Sequence, residues 1–130
     1  MRPADQVVRE FCAAVSARDA SALGSFFHPD AVFHDISEHP QRGRDAVLAG
    51  LASIFGRFEN ITFEIKYLAT AGEVVLTERI DWLGTTGHTA PIPVMGAFEV
   101  HDGLIHQWRD YFDRASATAL IRDSAATARI

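Results

Sequence analysis

The apolar residues of this chain change their period once, at Phe58-Glu59-Asn60, and that change dictates helices first and a sheet second. Before it, Val7, Val8, Phe11, Cys12 and Val15 recur at helical spacing, with Asp5, Arg9, Glu10 and Arg18 on other faces. Asp19 is placed to cap a second short helix carrying Leu23, Phe26 and Phe27. His28-Pro29-Asp30 should stop that helix, because proline disfavours helical geometry in the residue before it. A short strand through Val32 and Phe33 follows, then a polar loop holding Asp35, Glu38, His39-Pro40 and Gly43. A third helix puts Val47, Leu48, Leu51, Ile54 and Phe55 on one stripe.

After the change, Ile61, Phe63, Ile65 and Tyr67 point one way and Thr62, Glu64 and Lys66 the other, the mark of a half-buried strand. Ala71-Gly72 turns the chain into a strand over about Glu73 to Leu83. A loop is expected from Gly84 to Ala90 and a third strand from about Ile92 to His101. Asp102-Gly103 is a two-residue hairpin signal, and a fourth strand covers about Leu104 to Phe112. The tail, Arg114 to Ile130, is Ala-rich and expected to be helical at first, then frayed. The fold class is therefore α+β: a curved, mostly antiparallel sheet wraps the N-terminal helices into a cone whose interior is the natural pocket.

Length and composition suit a single domain over residues 1–130. With 130 residues and 48% hydrophobic content, the chain has room for one core. Lys and Arg number 12 against 17 Asp and Glu, a charge of -5, which argues against a nucleic-acid partner needing a basic face. Cys12, the one cysteine, excludes an internal disulfide and a multi-cysteine zinc site. No apolar run approaches the roughly 20 residues that span a bilayer. The first residues lack the apolar stretch of a signal peptide, so a soluble, cytoplasmic protein is expected.

Charges sit where apolar residues belong. Val75, Thr77, Arg79, Asp81 and Leu83 share one face of the second strand, and Leu104, His106, Trp108, Asp110 and Phe112 share one face of the fourth. A two-residue Asp102-Gly103 turn would set Ala97 opposite Trp108 and Met95 opposite Asp110. Asp110 then lies among Met95, Trp108 and Phe112, where a bare carboxylate is costly unless Arg79 and Asp81 face it. Such a cluster can be a structural ion pair. It can equally be chemical, because two carboxylates around one guanidinium are driven to different protonation states, one donating a proton while the other accepts.

The strings Leu76-Thr77-Glu78-Arg79-Ile80-Asp81 and Gln107-Trp108-Arg109-Asp110-Tyr111-Phe112-Asp113 resemble the signature segments of the limonene-1,2-epoxide hydrolases, and Gly43-Arg44-Asp45-Ala46-Val47 resembles the start of that family's third helix. The resemblance runs from about Val7 to Arg114. It implies the cystatin-like fold of the nuclear transport factor 2-like, or SnoaL-like, superfamily and a homodimer. It also implies that Asp110 takes a proton from water, that Asp81 protonates the oxygen of a small apolar epoxide, and that Arg79 bridges them. Water then attacks the ring carbon directly, with no metal, no cofactor and no covalent enzyme ester. The family's water-orienting Tyr and Asn fall at Phe33 and Asp35, leaving Phe33 without a hydroxyl and Asp35 as an acceptor only. Asp35 would be a third carboxylate near one Arg.

Asp30-Ala31-Val32-Phe33-His34-Asp35 also resembles the segment bearing the general base of ketosteroid isomerases. That family's oxyanion donors fall at Phe11 and Gly96, which donate nothing from a side chain. A polyketide cyclase, an enzyme opening an epoxide intramolecularly and a non-catalytic ligand-binding domain stay open beside the hydrolase. His28, Asp30, His34, Asp35 and His39 match no compact metal motif and read as a solvated loop. His106 opposite Glu99 reads as a cross-strand pair, and Cys12 as core. Arg109 and Asp113 read as outer-face charges, and Trp82 with Tyr67 as packing against the helices or a second subunit.

Overall fold

A computed structural model describes residues 1–85 and 87–128. Helix α1 (Ala4–Ser16) buries Val7, Val8, Phe11, Cys12 and Val15, the stripe expected of it. Burial pushes the Cys12 thiol up to about 12, as suits a core residue. The chain then turns at Arg18 (φ 55), whose guanidinium donates to the carbonyls of Phe55, Phe58 and Glu59 at 2.9, 2.7 and 3.0 Å. Those carbonyls lie at and just past the end of α3 (Arg44–Arg57), so Arg18 satisfies groups a helix end leaves open.

Helix α2 (Ala20–Leu23) and a 3-10 turn (Gly24–Phe26) follow. Asp19 stands at the N-cap position, but its carboxylate accepts from the Ser21 hydroxyl at 2.9 Å and not from a backbone N–H. Strand β1 (Phe27–Asp35) starts earlier than expected, so His28-Pro29-Asp30 lies inside a strand. The pairing of β1 shifts register between Phe27 and Val32, and a proline that cannot donate to a ladder is tolerated there.

Strand β2 (Gln41–Arg42) precedes α3 at the sheet edge, and β3 (Asn60–Ala71), β4 (Val74–Thr85), β5 (His88–His101) and β6 (Leu104–Tyr111) form the meander. The sheet order is β2-β1-β6-β5-β4-β3, with β1 parallel to β6 and the other neighbours antiparallel. Strands β4 and β5 pair up to Thr85 and His88, so most of the loop expected at 84–90 is strand; Thr86 lies outside the described residues. Helix α4 (Arg114–Ala128) begins where Asp113 accepts from the Ser116 N–H at 3.1 Å and lays Ala117 against Ala90, Ile92 and Val94. The tail, expected to be helical at first and then frayed, is helix as far as Ala128, and residues 129 and 130 lie outside the described residues.

Two register shifts correct the strand arithmetic. One, between Ile65 and Tyr67, turns Tyr67 out to solvent and brings Leu68 toward the core. The other, opposite Glu99 and Val100, leaves His106 unpaired in the bulge. Trp108 therefore faces Phe98 and Asp110 faces Gly96, one residue away from the expected Ala97 and Met95. Met95, expected in the pocket, stands 51% exposed on the outer face. His106 stacks on His28 with centroids 4.2 Å apart, while Glu99 pairs with Arg109 at 2.6 Å. Trp82 is also on the outer face and donates to Glu64 at 3.0 Å. Among the described residues, no helix is long and apolar enough to cross a membrane.

Candidate active site

Alternation along β4 sends Val75, Thr77, Arg79 and Asp81 to the inner face, all of them buried. The bulge in β6 brings Asp110 to the same face, two residues beyond Trp108. Trp108 is held by aromatic packing: Phe98 stacks on it at 5.6 Å, Phe11 meets it edge-on at 5.1 Å, and Phe33 lies 4.0 Å away.

Arg79, with no exposed surface, spends all five of its N–H groups inside this cluster. Nε and Nη2 donate to Asp81 at 3.0 and 2.9 Å, and Nη1 and Nη2 donate to Asp110 at 3.1 and 2.9 Å. The remaining Nη1 proton goes to Thr77 Oγ1 at 3.3 Å. The guanidinium also lies over the rings of Phe63 and Phe98, 4.8 and 6.0 Å from their centroids. Burial opposes its charge, but Asp110 and Asp81 outweigh that and hold its proton well above the ordinary range. Each acid retains an acceptor direction that Arg79 does not use, so the clamp orients both without exhausting them.

Both acids border one cavity of about 230 Å³. Phe33, Phe58 and Phe63 form apolar wall, and Ala117 and Ile121 of α4 contribute from another side. That volume is below the roughly 300–1,000 Å³ of pockets for drug-sized ligands, so it suits a small, largely apolar molecule. Burial raises Asp81 to about 6; the Asp110 charge adds to the rise and Arg79 opposes it. A carboxyl poised there can hold a proton near neutrality and give it up to a basic oxygen.

Asp35 lines the same cavity and is the register partner of Asp110 across the parallel β1–β6 pair. Its Oδ1 accepts from the Ser37 N–H at 3.0 Å and the Ser37 hydroxyl at 2.7 Å, so it lies beside the clamp with partners of its own. Phe33 and Trp108 line the cavity as expected, whereas Met95 does not. Thr77 was missed, although its polarity on an inner face two residues before Arg79 could have signalled it. The walls from α3 and α4 carried no comparable signal.

A curved mixed sheet packed over helices, with an Asp-Arg-Asp clamp on the wall of an apolar chamber, defines a cone-shaped domain of the nuclear transport factor 2-like class. The chain belongs to the SnoaL-like domain family, which matches residues 8–108. It is 33% identical over 108 residues to the epoxide hydrolase EphG of Mycobacterium tuberculosis, covering 82% of this chain and 70% of EphG. The structure of an LEH-like epoxide hydrolase from M. tuberculosis superposes with a TM-score of 0.84 at 28% identity, covering 95% of this chain and 92% of that one. The resemblance to the limonene-1,2-epoxide hydrolase family is thereby borne out. A putative polyketide cyclase from Sinorhizobium meliloti shares the fold with a TM-score of 0.72 at 23% identity, over 82% of this chain and 94% of that one.

Proposed function

We propose that this chain is an epoxide hydrolase that adds water directly to a small apolar epoxide, with Asp110 as base, Asp81 as acid and Arg79 as the bridge between them. In this reading Asp110 accepts a proton from water while the water oxygen bonds to a ring carbon. The carbon–oxygen bond of the ring breaks and Asp81 delivers its proton to the departing oxygen, giving a vicinal diol. A proton must then pass from Asp110 to Asp81, directly or through solvent, to reset the pair. Positioning and proton transfer are the main needs of a strained ring, so the chemistry calls on no cofactor.

The observation that supports this most is the fully buried Arg79 holding two carboxylates on the wall of one apolar cavity. The kinship with EphG supports the same reaction class. The test is turnover of a panel of small epoxides, limonene 1,2-epoxide and cyclohexene oxide included, in oxygen-18 water with enzyme in excess over substrate. Label in the diol after a single turnover is expected. No diol from any of them would overturn the proposal.

One feature favours the cyclase or isomerase alternative: Asp35 reaches the cavity beside the non-polar Phe33. Against it, Phe11 is buried in the aromatic cluster and Gly96 has no side chain to stabilise an enolate. Enone or cyclic ether products in the same assay would identify that chemistry. We propose further that two copies pair through the outer sheet face, where Tyr67, Leu76, Met95 and Tyr111 are exposed. The neighbouring Lys66 and Glu78 carry opposite charges that a two-fold contact can exchange.

A further inference from the structure

Thr77, Gly96, Asp110 and Asp35 form one row across β4, β5, β6 and β1, each the register partner of the next. Arg79 belongs to a different row, opposite Val94, yet its Nη1 reaches Asp110 two strands away. Neighbouring strands lie about 4.8 Å apart, so the guanidinium has to cross β5 on its way, and it does so over residue 96. A Cβ on that residue would lie 2.8 Å from Asp110 Oδ1, 2.9 Å from Thr77 Oγ1 and closer still to Arg79 Nη1. Gly96 is not among the positive-φ glycines, so space and not backbone conformation requires glycine there.

We propose that Gly96 is a positioning residue for the reaction: its missing side chain is the passage through which Arg79 reaches Asp110 and joins the two acids into one unit. The kinetic consequence rests on the hydrolase reading above; the geometric one does not. A methyl group at 96 meets polar atoms of the clamp, and the flexible end of Arg79 gives way first. Nη1 then leaves Asp110 Oδ1 and the base keeps only the Nη2 contact to Oδ2, while Nε and Nη2 keep Asp81, so the clamp loosens at the base and not at the acid. The substrate walls, from Phe33 to Ile121, are untouched.

The test is Gly96→Ala, with Thr77→Ala alone and combined. Gly96→Ala should lower kcat by about 100-fold, the scale of a displaced acid–base group, with KM within about threefold. Removing Oγ1 opens room for Nη1 on the other side, so the double variant should recover about tenfold over Gly96→Ala. A glycine needed for packing alone would give additive losses. Gly96→Ala within about threefold of the parent kcat, or a double variant no better than the single, would overturn the proposal.

Two readouts need no turnover. The Trp108 indole N–H resonance should shift in Gly96→Ala, because its acceptor, Asp110 Oδ1, loses the Nη1 donor it shares; an unchanged resonance counts against the passage. Should Gly96→Ala fail to fold, the pair is measured in an Arg79→Lys background, where the shorter cation removes the closest of the three contacts at position 96, that with Nη1. There the alanine should cost far less stability, and equal cost in both backgrounds would sink the idea. Absence of diol from the parent chain, with the resonance shift present, would remove the hydrolase reading and leave the passage standing.

Discussion

The indole N–H of Trp108 is bonded to Oδ1 of Asp110 at 2.8 Å, from two residues away on the same strand. An indole N–H only donates, so that oxygen must accept, and Arg79 Nη1 donates to it as well. In the proposed reaction the proton taken from water therefore goes to Oδ2, which accepts from Arg79 Nη2 alone. Trp108→Phe keeps the aromatic packing and deletes the donor. A fall in kcat of about tenfold with little change in KM is expected, together with about 1–2 kcal/mol lost from the core, measured by urea unfolding. Asp110→Asn should go further, losing about 100-fold or more while its circular dichroism stays native.

In the proposed reaction protonated Asp81 is the acid, so kcat/KM should fall as pH rises through about 6. Stability has the same sign. The native carboxyl keeps a proton that the unfolded one releases near its ordinary 3.8, so stability present below that value is lost as pH rises toward about 6. Urea midpoints of the parent and Asp81→Asn at pH 4 and pH 7 isolate this group. The parent should lose ground to the variant between those two pH values; a constant difference contradicts the raised carboxyl.

By the sequence resemblance, Phe33 and Asp35 fall where a hydroxyl and an amide are expected of a limonene-1,2-epoxide hydrolase. Phe33→Tyr combined with Asp35→Asn would supply a donor and a donor–acceptor to water bound near Asp110. Hydrolysis of limonene 1,2-epoxide by the double variant should rise about tenfold, followed as diol formation. No gain, or a loss, would mean that water is held elsewhere.

Met95 and Tyr111 stand on the outer face as register partners, 51% and 46% exposed. Replacing both with Glu sets like charges across the proposed two-fold contact. Sedimentation should show a dimer for the parent and a monomer for the variant at the same concentration. Two identical profiles would remove this face as the dimer surface.

Much of the site was legible before the fold. Arg79 and Asp81 had to share a face with Val75 because strand side chains alternate with a period of two, and that face is buried. The α1 stripe and the Asp102-Gly103 turn, with φ values of 53 and 75, followed from equally local rules. What failed was register. Bulges near Lys66 and His106 each slip a strand by one residue, turning Tyr67 outward and putting Gly96 where Met95 was expected opposite Asp110.

Periodicity and turn chemistry, both short-range properties of the chain, thus determined the helices, the strands and the acids that turn inward. Tertiary structure alone decided that Gly96 lies between Arg79 and Asp110, that Asp35 stands beside them held by Ser37, and that α3 and α4 complete the walls. Those relations depend on which strand packs beside which and at what offset. That choice is set by side chains far apart along the chain filling one interior together, and no local pattern records it.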